Sequence, residues 1–432
     1  METTEKRIAD EILGRYGQGQ RNFVRSDLRG IRWQGHNLSG ADFNGSNFTQ
    51  AQLQQANFSQ GNLSNAQMAK AQLSEAQLVR TWIKRADLQG AMLQGADLRE
   101  AQLKQACLAY AQMEGADFKK ASLIATNLEH ANLKGADFTQ AVLSGADLRF
   151  AELRHVNFRR ANLSGANLSG ANLRWADLSG ANLRWADLSG ARLSGAKLMG
   201  ADLSNAILSE ASLVHADLSQ AKLTRIDWAG ADLSQTTLTG AKLYETPRFG
   251  LQTEGLLCEW VDLSPTGDRS HIHHLGPDEA QLFFRPSQPQ VRVIIDSPLE
   301  AYSHLVIASF YHQIARKFAL LESPPSIQLT PRRTTLTFNL NQESHLLAIA
   351  YLIVQPFKDA QATQSSIVEL LKTLQELDGV LSPQEQAAIE QSAQRLGPLV
   401  GQLKPVTMPG GEADNFFDAP IQVLLQTPAV NP

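Results

Sequence analysis

Residues 161–170 read Ala-Asn-Leu-Ser-Gly-Ala-Asn-Leu-Ser-Gly, and variations on that phrase run from Arg21 to Glu245 without an insertion. The stretch holds 45 consecutive units of five. The middle residue of every unit is Leu, Phe, Met, Ile or Trp, from Phe23, Leu28 and Trp33 to Leu243. Two residues before it stands Ala in 34 of the 45 units. The residue between is often Asp or Asn, and the fifth is often Gly.

Neither ordinary element accommodates this spacing. Apolar positions recur at alternating steps of two and three. On a helix, five residues advance by about 500°, so the apolar stripe drifts around the axis. In a continuous strand each step of three would invert the facing. A very short strand followed by a corner satisfies the pattern. Ala and the central residue then face inward, Asp or Asn faces outward, and the last two residues turn the chain. Repetition winds a solenoid whose coils stack by strand pairing, about 4.8 Å apart. Asp and Asn alternate because either side-chain oxygen can accept from a backbone N–H. Asp97, Asp117 and Asp137 are therefore read as structural rather than as a metal or substrate ladder. The Asn-Leu-Ser triplets at 37–39, 162–164 and 167–169 match a glycosylation sequon only because the repeat writes it.

The units resemble those of the pentapeptide-repeat family, Ala-(Asp/Asn)-Leu-x-x, over just over half the chain. The resemblance implies an all-β right-handed quadrilateral β-helix with four units per coil. Forty-five units would give about 11 coils and a rod of about 54 Å. Phe118, Phe138 and Phe158 recur at 20 and would stack as a ladder. Ser26, Ile31 and His36 replace Ala in the first coils, which are expected to be less regular.

Residues 1–20 are expected to form an N-terminal capping helix, with Ile8, Ile12, Leu13 and Tyr16 on one side and Gly17 as its stop. Residues 246–265 read as a loop and a final half coil, with Cys258 and Leu263 in central phase. From 266 to 404 the period is lost and a smaller C-terminal α+β domain of unrecognised type is expected. Its strands are predicted at Val291–Asp296 and Thr334–Leu340, and Ser344–Val354 is a buried helix or strand. Helices are predicted at Leu299–Leu321, 364–377 and 382–399, the last opened by the capping box Ser382-Pro383-Gln384-Glu385. Residues 405–432 read as an irregular tail.

Bulk properties narrow the function. The 432 residues are 43% apolar and 19% charged with a net charge of −4, a folded rather than disordered composition. Two cysteines give no disulfide framework, and a reducing compartment fits. The N-terminal residues show no secretory signal, and the strongest apolar run, Leu346–Val354, is too short to span a bilayer. A cytoplasmic protein without a membrane span is expected. No phosphate loop, dinucleotide fingerprint, nucleophile elbow or zinc spacing occurs. No catalytic residue, cofactor or metal is therefore assigned. His271-Ile272-His273-His274, near Asp278 and Glu279, is the best metal candidate, but it reads as a loop and as incidental.

The rod surface offers more. With 20 residues per coil, Lys134, Arg154 and Arg174 stack as neighbours, and Arg99, Lys119 and Arg159 share another column. Such columns are either solvated faces offset by nearby acids or a strip for an acidic partner. Trp175 and Trp185 sit at outward positions of duplicated Leu-Arg-Trp-Ala-Asp segments, a composition found at binding hot spots. Ten residues apart, they fall on opposite sides. Lys134, Arg154, Arg174, Trp175 and Trp185 are the candidate interaction surface.

The reading this supports is a non-enzymatic protein–protein interaction scaffold, with partner specificity in the C-terminal domain. A protein partner is expected, direct nucleic-acid binding is not, and a homodimer is left open. The family resemblance suggests an alternative, since members linked to quinolone resistance mimic B-DNA and bind type II topoisomerases. A 54 Å duplex mimic needs roughly 30 negative charges. Residues 21–245 carry 24 basic and 20 acidic residues, a net +4, which weighs against it. An enzyme in the C-terminal domain is the second alternative. That region, 246–432, carries 12 basic and 19 acidic residues, a net −7.

Overall fold

The structure is a computed structural model. It describes residues 2–276, 279–284, 289–299, 325–329, 333–340, 342–376 and 415–426, with scattered residues of 303–314 and 390–394. The chain divides into two compact units, Met1–Phe284 and Arg285–Pro432.

In the first unit, each second-position residue bridges the residue 20 further on, from Asn22–Asp42 to Lys222–Lys242, always in parallel. Four five-residue units therefore close one coil, and the coil has four sides. Residues 131–135 show why the sequence winds this way, because every backbone N–H finds an acceptor. Ala131 N donates to Leu128 O across the corner, Asn132 N to Ala111 O in the coil before, and Leu133 N and Gly135 N to Glu152 O and Arg154 O in the coil after. The remaining donor, Lys134 N, meets the Asn132 side-chain Oδ1 at 3.3 Å. That bond is the reason for Asp or Asn at the second position, since it satisfies the one N–H the coils leave over. The same bond runs from Arg99 N to Asp97, Lys119 N to Asp117 and Thr139 N to Asp137.

The fifth residue turns the corner in the left-handed region, with φ near +60° at almost every repeat. Glycine adopts this without strain, which accounts for its frequency there. Inside, the central and first residues are buried along the whole axis. Phe118, Phe138 and Phe158 stack as expected, with ring centroids 4.6 and 5.0 Å apart.

The first coils are regular, contrary to expectation, with bridging intact from Asn22. The coil-to-coil bonds are made by backbone, so replacing Ala there does not break them. Ser26 Oγ satisfies itself on Phe23 O at 2.8 Å. Helix α1, Glu2–Gly17, buries Ala9 and Ile12 against the rod core, and the Tyr16 hydroxyl donates to Ser39 O at 2.8 Å.

At the other end the register breaks at 246–250, because Pro247 occupies a bridging position and has no N–H to give. Its carbonyl instead accepts from Trp228 Nε1. Bridging resumes at Gln252, Leu257 and Asp262. Strand β1, Trp260–Asp262, then pairs antiparallel with β2, Ile272–His274. Helix α2, Glu279–Phe284, buries Ala280 and Phe284 in the rod core, and the Phe284 ring meets Trp228 edge-on at 6.0 Å. The two units thus part after Phe284 rather than at 265, because α2 belongs to the rod's own apolar core.

The second unit is α+β. Its sheet runs β4-β5-β3-β6, antiparallel throughout, with β3 Gln290–Ile295, β4 Ser326–Leu329, β5 Thr334–Asn339 and β6 Ile421–Gln426. Helix α3, Leu346–Ile353, is buried on every side, and α4 spans Ala360–Glu376. A short helix α5, Asn415–Asp418, precedes β6. The tail is therefore not irregular throughout. Ile421, Val423 and Leu425 alternate in strand fashion, pack on the core and complete the sheet beside β3. The capping box at 382–385 and most of the helices predicted at 299–321 and 382–399 lie outside the described residues.

Candidate protein-interaction face

One wall of the rod consists of residues 91–95, 111–115, 131–135, 151–155, 171–175 and 191–195, stacked by the 20-residue coil. It gathers four of the five predicted surface residues, Lys134, Arg154, Arg174 and Trp175. Trp185 is exposed on the opposite side and does not join them.

The corner bordering this wall carries an aromatic ladder that sequence reading missed. Tyr110, His130 and Phe150 occupy fifth positions one coil apart. Their ring centroids are 5.1 and 5.2 Å apart, with interplanar angles of 11° and 17°. The left-handed corner geometry aims each side chain outward, and the coil repeat sets neighbouring rings at stacking distance. Tyr110 and Phe150 are nonetheless over half exposed, at 52% and 55%. The Phe150 ring lies over Gly170, which has no side chain to lift it away. At the wall's other corner Trp175, 59% exposed, lies over Gly195 in the same manner. Met92 is a further exposed apolar residue on the wall. The signal available in the sequence was the spacing of 20 between Tyr110, His130 and Phe150, read at the fifth rather than the central position.

The charges divide into paired and unpaired. Lys134 meets Glu114 at 2.9 Å, and Arg154 meets Glu152 at 2.6 Å. Burial works to raise the Glu152 pKa, but hydrogen bonds from Arg154 and Asn172 prevail and hold it below the ordinary glutamate value. Arg174 and Arg192 are exposed on the same wall and meet no carboxylate within ion-pair distance among the described residues. The other column is self-neutralised: Arg99 pairs with Asp97, Lys119 with Asp117 and Asp137, and Arg159 with Asp177.

All of the histidine run but His271 is on strand β2 rather than in a loop, and His273 stacks on Phe283 at 5.1 Å. No cluster of three metal-ligating side chains occurs among the described residues. No helix among them is long and apolar enough to cross a membrane.

The sequence profile for pentapeptide repeats matches in eight copies between residues 22 and 246. No curated protein matches the chain. Among solved structures, it is similar to HetL, a pentapeptide repeat protein involved in heterocyst differentiation regulation from the cyanobacterium Nostoc. The identity is 31%, covering 61% of this chain and 98% of HetL, with a TM-score of 0.24. It is also similar to QnrB1, a plasmid-mediated fluoroquinolone resistance protein, at 18% identity over 55% of this chain and 91% of that one, TM-score 0.17. A third is a pentapeptide repeat protein of the Arabidopsis thaliana thylakoid lumen, at 30% identity over 29% of this chain and 67% of that one, TM-score 0.11.

Proposed function

Because the chain belongs to the pentapeptide-repeat family, whose fold is a right-handed quadrilateral β-helix, we propose that it is a non-enzymatic scaffold that binds a protein through the wall bearing Phe150, Arg174 and Trp175. The observation that carries the reading is the ladder Tyr110–His130–Phe150 standing exposed beside unpaired arginines. Most of the rod surface is Ser, Gln, Asn and Gly, which discriminates partners poorly. Exposed aromatics with Arg are the composition that anchors protein interfaces. The partner this wall fits has an apolar strip to lie along the ring edges and carboxylates to meet Arg174 and Arg192. The C-terminal unit supplies the rest of the specificity in this reading, having its own sheet and core.

The test is quantitative affinity capture with full-length protein. A Tyr110→Ser/Phe150→Ser/Trp175→Ser variant removes exposed anchors only, so it should fold normally and lose its partner. Trp185→Ser, on the opposite side, should retain it. Equal capture by all three proteins would overturn the assignment of this wall.

A further inference from the structure

On the opposite wall a second feature stands apart from the interaction face. The unit Thr81-Trp82-Ile83-Lys84-Arg85 differs from Ala-Asn-Leu-Ser-Gly at all five positions. Its Lys84 and Arg85 border a cleft of about 400 Å³ lined by Ser64, Asn65, Lys84, Arg85, Lys104 and Gln105. These are fourth- and fifth-position residues of three successive coils, so the coil repeat itself brings the three cations together.

Their charge is uncompensated. The five units that build this part of the wall, 61–65, 81–85, 101–105, 121–125 and 141–145, contain no Asp or Glu. Among the described residues no carboxylate lies within ion-pair distance of Lys84, Arg85 or Lys104. Some cations elsewhere on the rod do have such partners: Arg80 meets Glu100 at 2.8 Å, and Arg149 meets Asp147 at 2.8 Å. Arg85 Nε donates to a neutral group, Gln105 Oε1, at 3.1 Å, which steadies the guanidinium without neutralising it. Lys84 Nζ lies 4.1 Å from the centroid of the half-exposed Trp82 ring. Three like charges around one cleft repel one another, and a bound anion would relieve this. Ser64, Asn65 and Gln105 add neutral donors to the same lining.

We infer that this cleft binds a small phosphorylated molecule, with its phosphates between Lys84, Arg85 and Lys104. The cleft volume falls in the range of small-ligand sites, roughly 300–1,000 Å³. Guanidinium and ammonium groups suit phosphate oxygens. The half-exposed Trp82 ring is outside the lining but lies against Lys84, and an aromatic face next to a phosphate site is the kind of surface on which a base stacks. The phosphate is the chemistry the cations recognise. It could be carried by a nucleotide or stand alone as a polyphosphate.

The test is isothermal titration of the full chain with ATP and, separately, with inorganic tripolyphosphate. Both should bind one per chain, more weakly as salt rises. Lys84→Glu/Lys104→Glu should weaken both at least tenfold with an unchanged melting temperature, and Arg174→Glu on the interaction wall should leave both unchanged. Tighter binding of ATP, lost in Trp82→Ala, supports a nucleotide source; equal binding supports the phosphate group alone. Absence of binding, or equal weakening by Arg174→Glu, would overturn the inference.

Discussion

The Phe150 ring lies across Gly170 so closely that a Cβ on the glycine would fall 2.6 Å from two ring carbons. Gly170 also holds φ of +66°, where a side chain is strained. The glycine is thus the floor on which the exposed ladder rests. Gly170→Ala should both strain the corner and displace the ring. Gly190 is the control, since it holds φ of +61° with nothing within 4 Å of its Cβ site. Both substitutions should cost about 1–2 kcal/mol in denaturant unfolding. Only Gly170→Ala should also move the His130 ring resonances by NMR. Identical spectra for the two variants would show that the ladder does not rest on Gly170.

Leu133 is fully buried on the rod axis, between Met113 and Leu153 in its column. Leu133→Asp should abolish soluble expression, because a carboxylate there has neither water nor a cation. Leu133→Ala should leave a folded protein destabilised by about 2–5 kcal/mol, read from the denaturation midpoint. A soluble Leu133→Asp protein with an unchanged melting curve would contradict a dry axis.

Those two contrasts explain what was legible in the sequence. Central positions such as Leu133 have one environment at every coil, so period and residue type suffice to read them. Lys134, Arg154 and Arg174 were legible as neighbours because the 20-residue coil is a fixed translation. Tyr110, His130 and Phe150 belong to the same arithmetic, but the fifth position is dominated by Gly, so the repeat pattern there carries no side-chain signal for an aromatic column. Strand β6 was obscured by the Pro- and Gly-bearing segment around it, and its pairing with β3 joins residues more than 120 positions apart. The break at Pro247 was visible, whereas the return of α2 to the rod core was not, since Ala280 and Phe284 follow no repeat.

The two thiols should separate under native alkylation. Cys258 is buried near the rod axis, and burial raises its pKa to about 11. Cys107 stands at an outward position and is partly exposed. Because the thiolate is the nucleophile, Cys258 should resist iodoacetamide at pH 8 and react only in denaturant. Mass spectrometry should find one carbamidomethyl group natively, on Cys107, and two after unfolding. Fast native labelling of Cys258 would mean that the final coils open.

DNA mimicry gives a fourth measurable outcome. The coils at 21–245 carry a net +4, the wrong sign for a duplex surrogate. Sub-micromolar full-length protein should leave DNA supercoiling by gyrase unaffected. Potent inhibition would restore the topoisomerase reading and demand an acidic face to account for it.

Acid sensitivity should trace to carboxylates of the walls. Burial opposes ionisation of Glu152, but Arg154 and Asn172 prevail and lower its pKa; for Asp137, burial is likewise outweighed by Thr139 and Lys119. A group with a lowered folded-state pKa binds protons less readily than in the unfolded chain. Its contribution is complete above the unfolded value, near 4.5 for Glu and 3.8 for Asp, and is lost as pH falls through the folded value. The melting temperature should therefore be flat from neutrality to about pH 5 and fall below it. Glu152→Gln should lower it slightly at pH 7 and make the acid limb shallower, because one titrating site is gone. The effect is modest, since water screens a partly exposed pair. An acid limb of unchanged slope in Glu152→Gln would mean that the Arg154–Glu152–Asn172 cluster contributes nothing to stability.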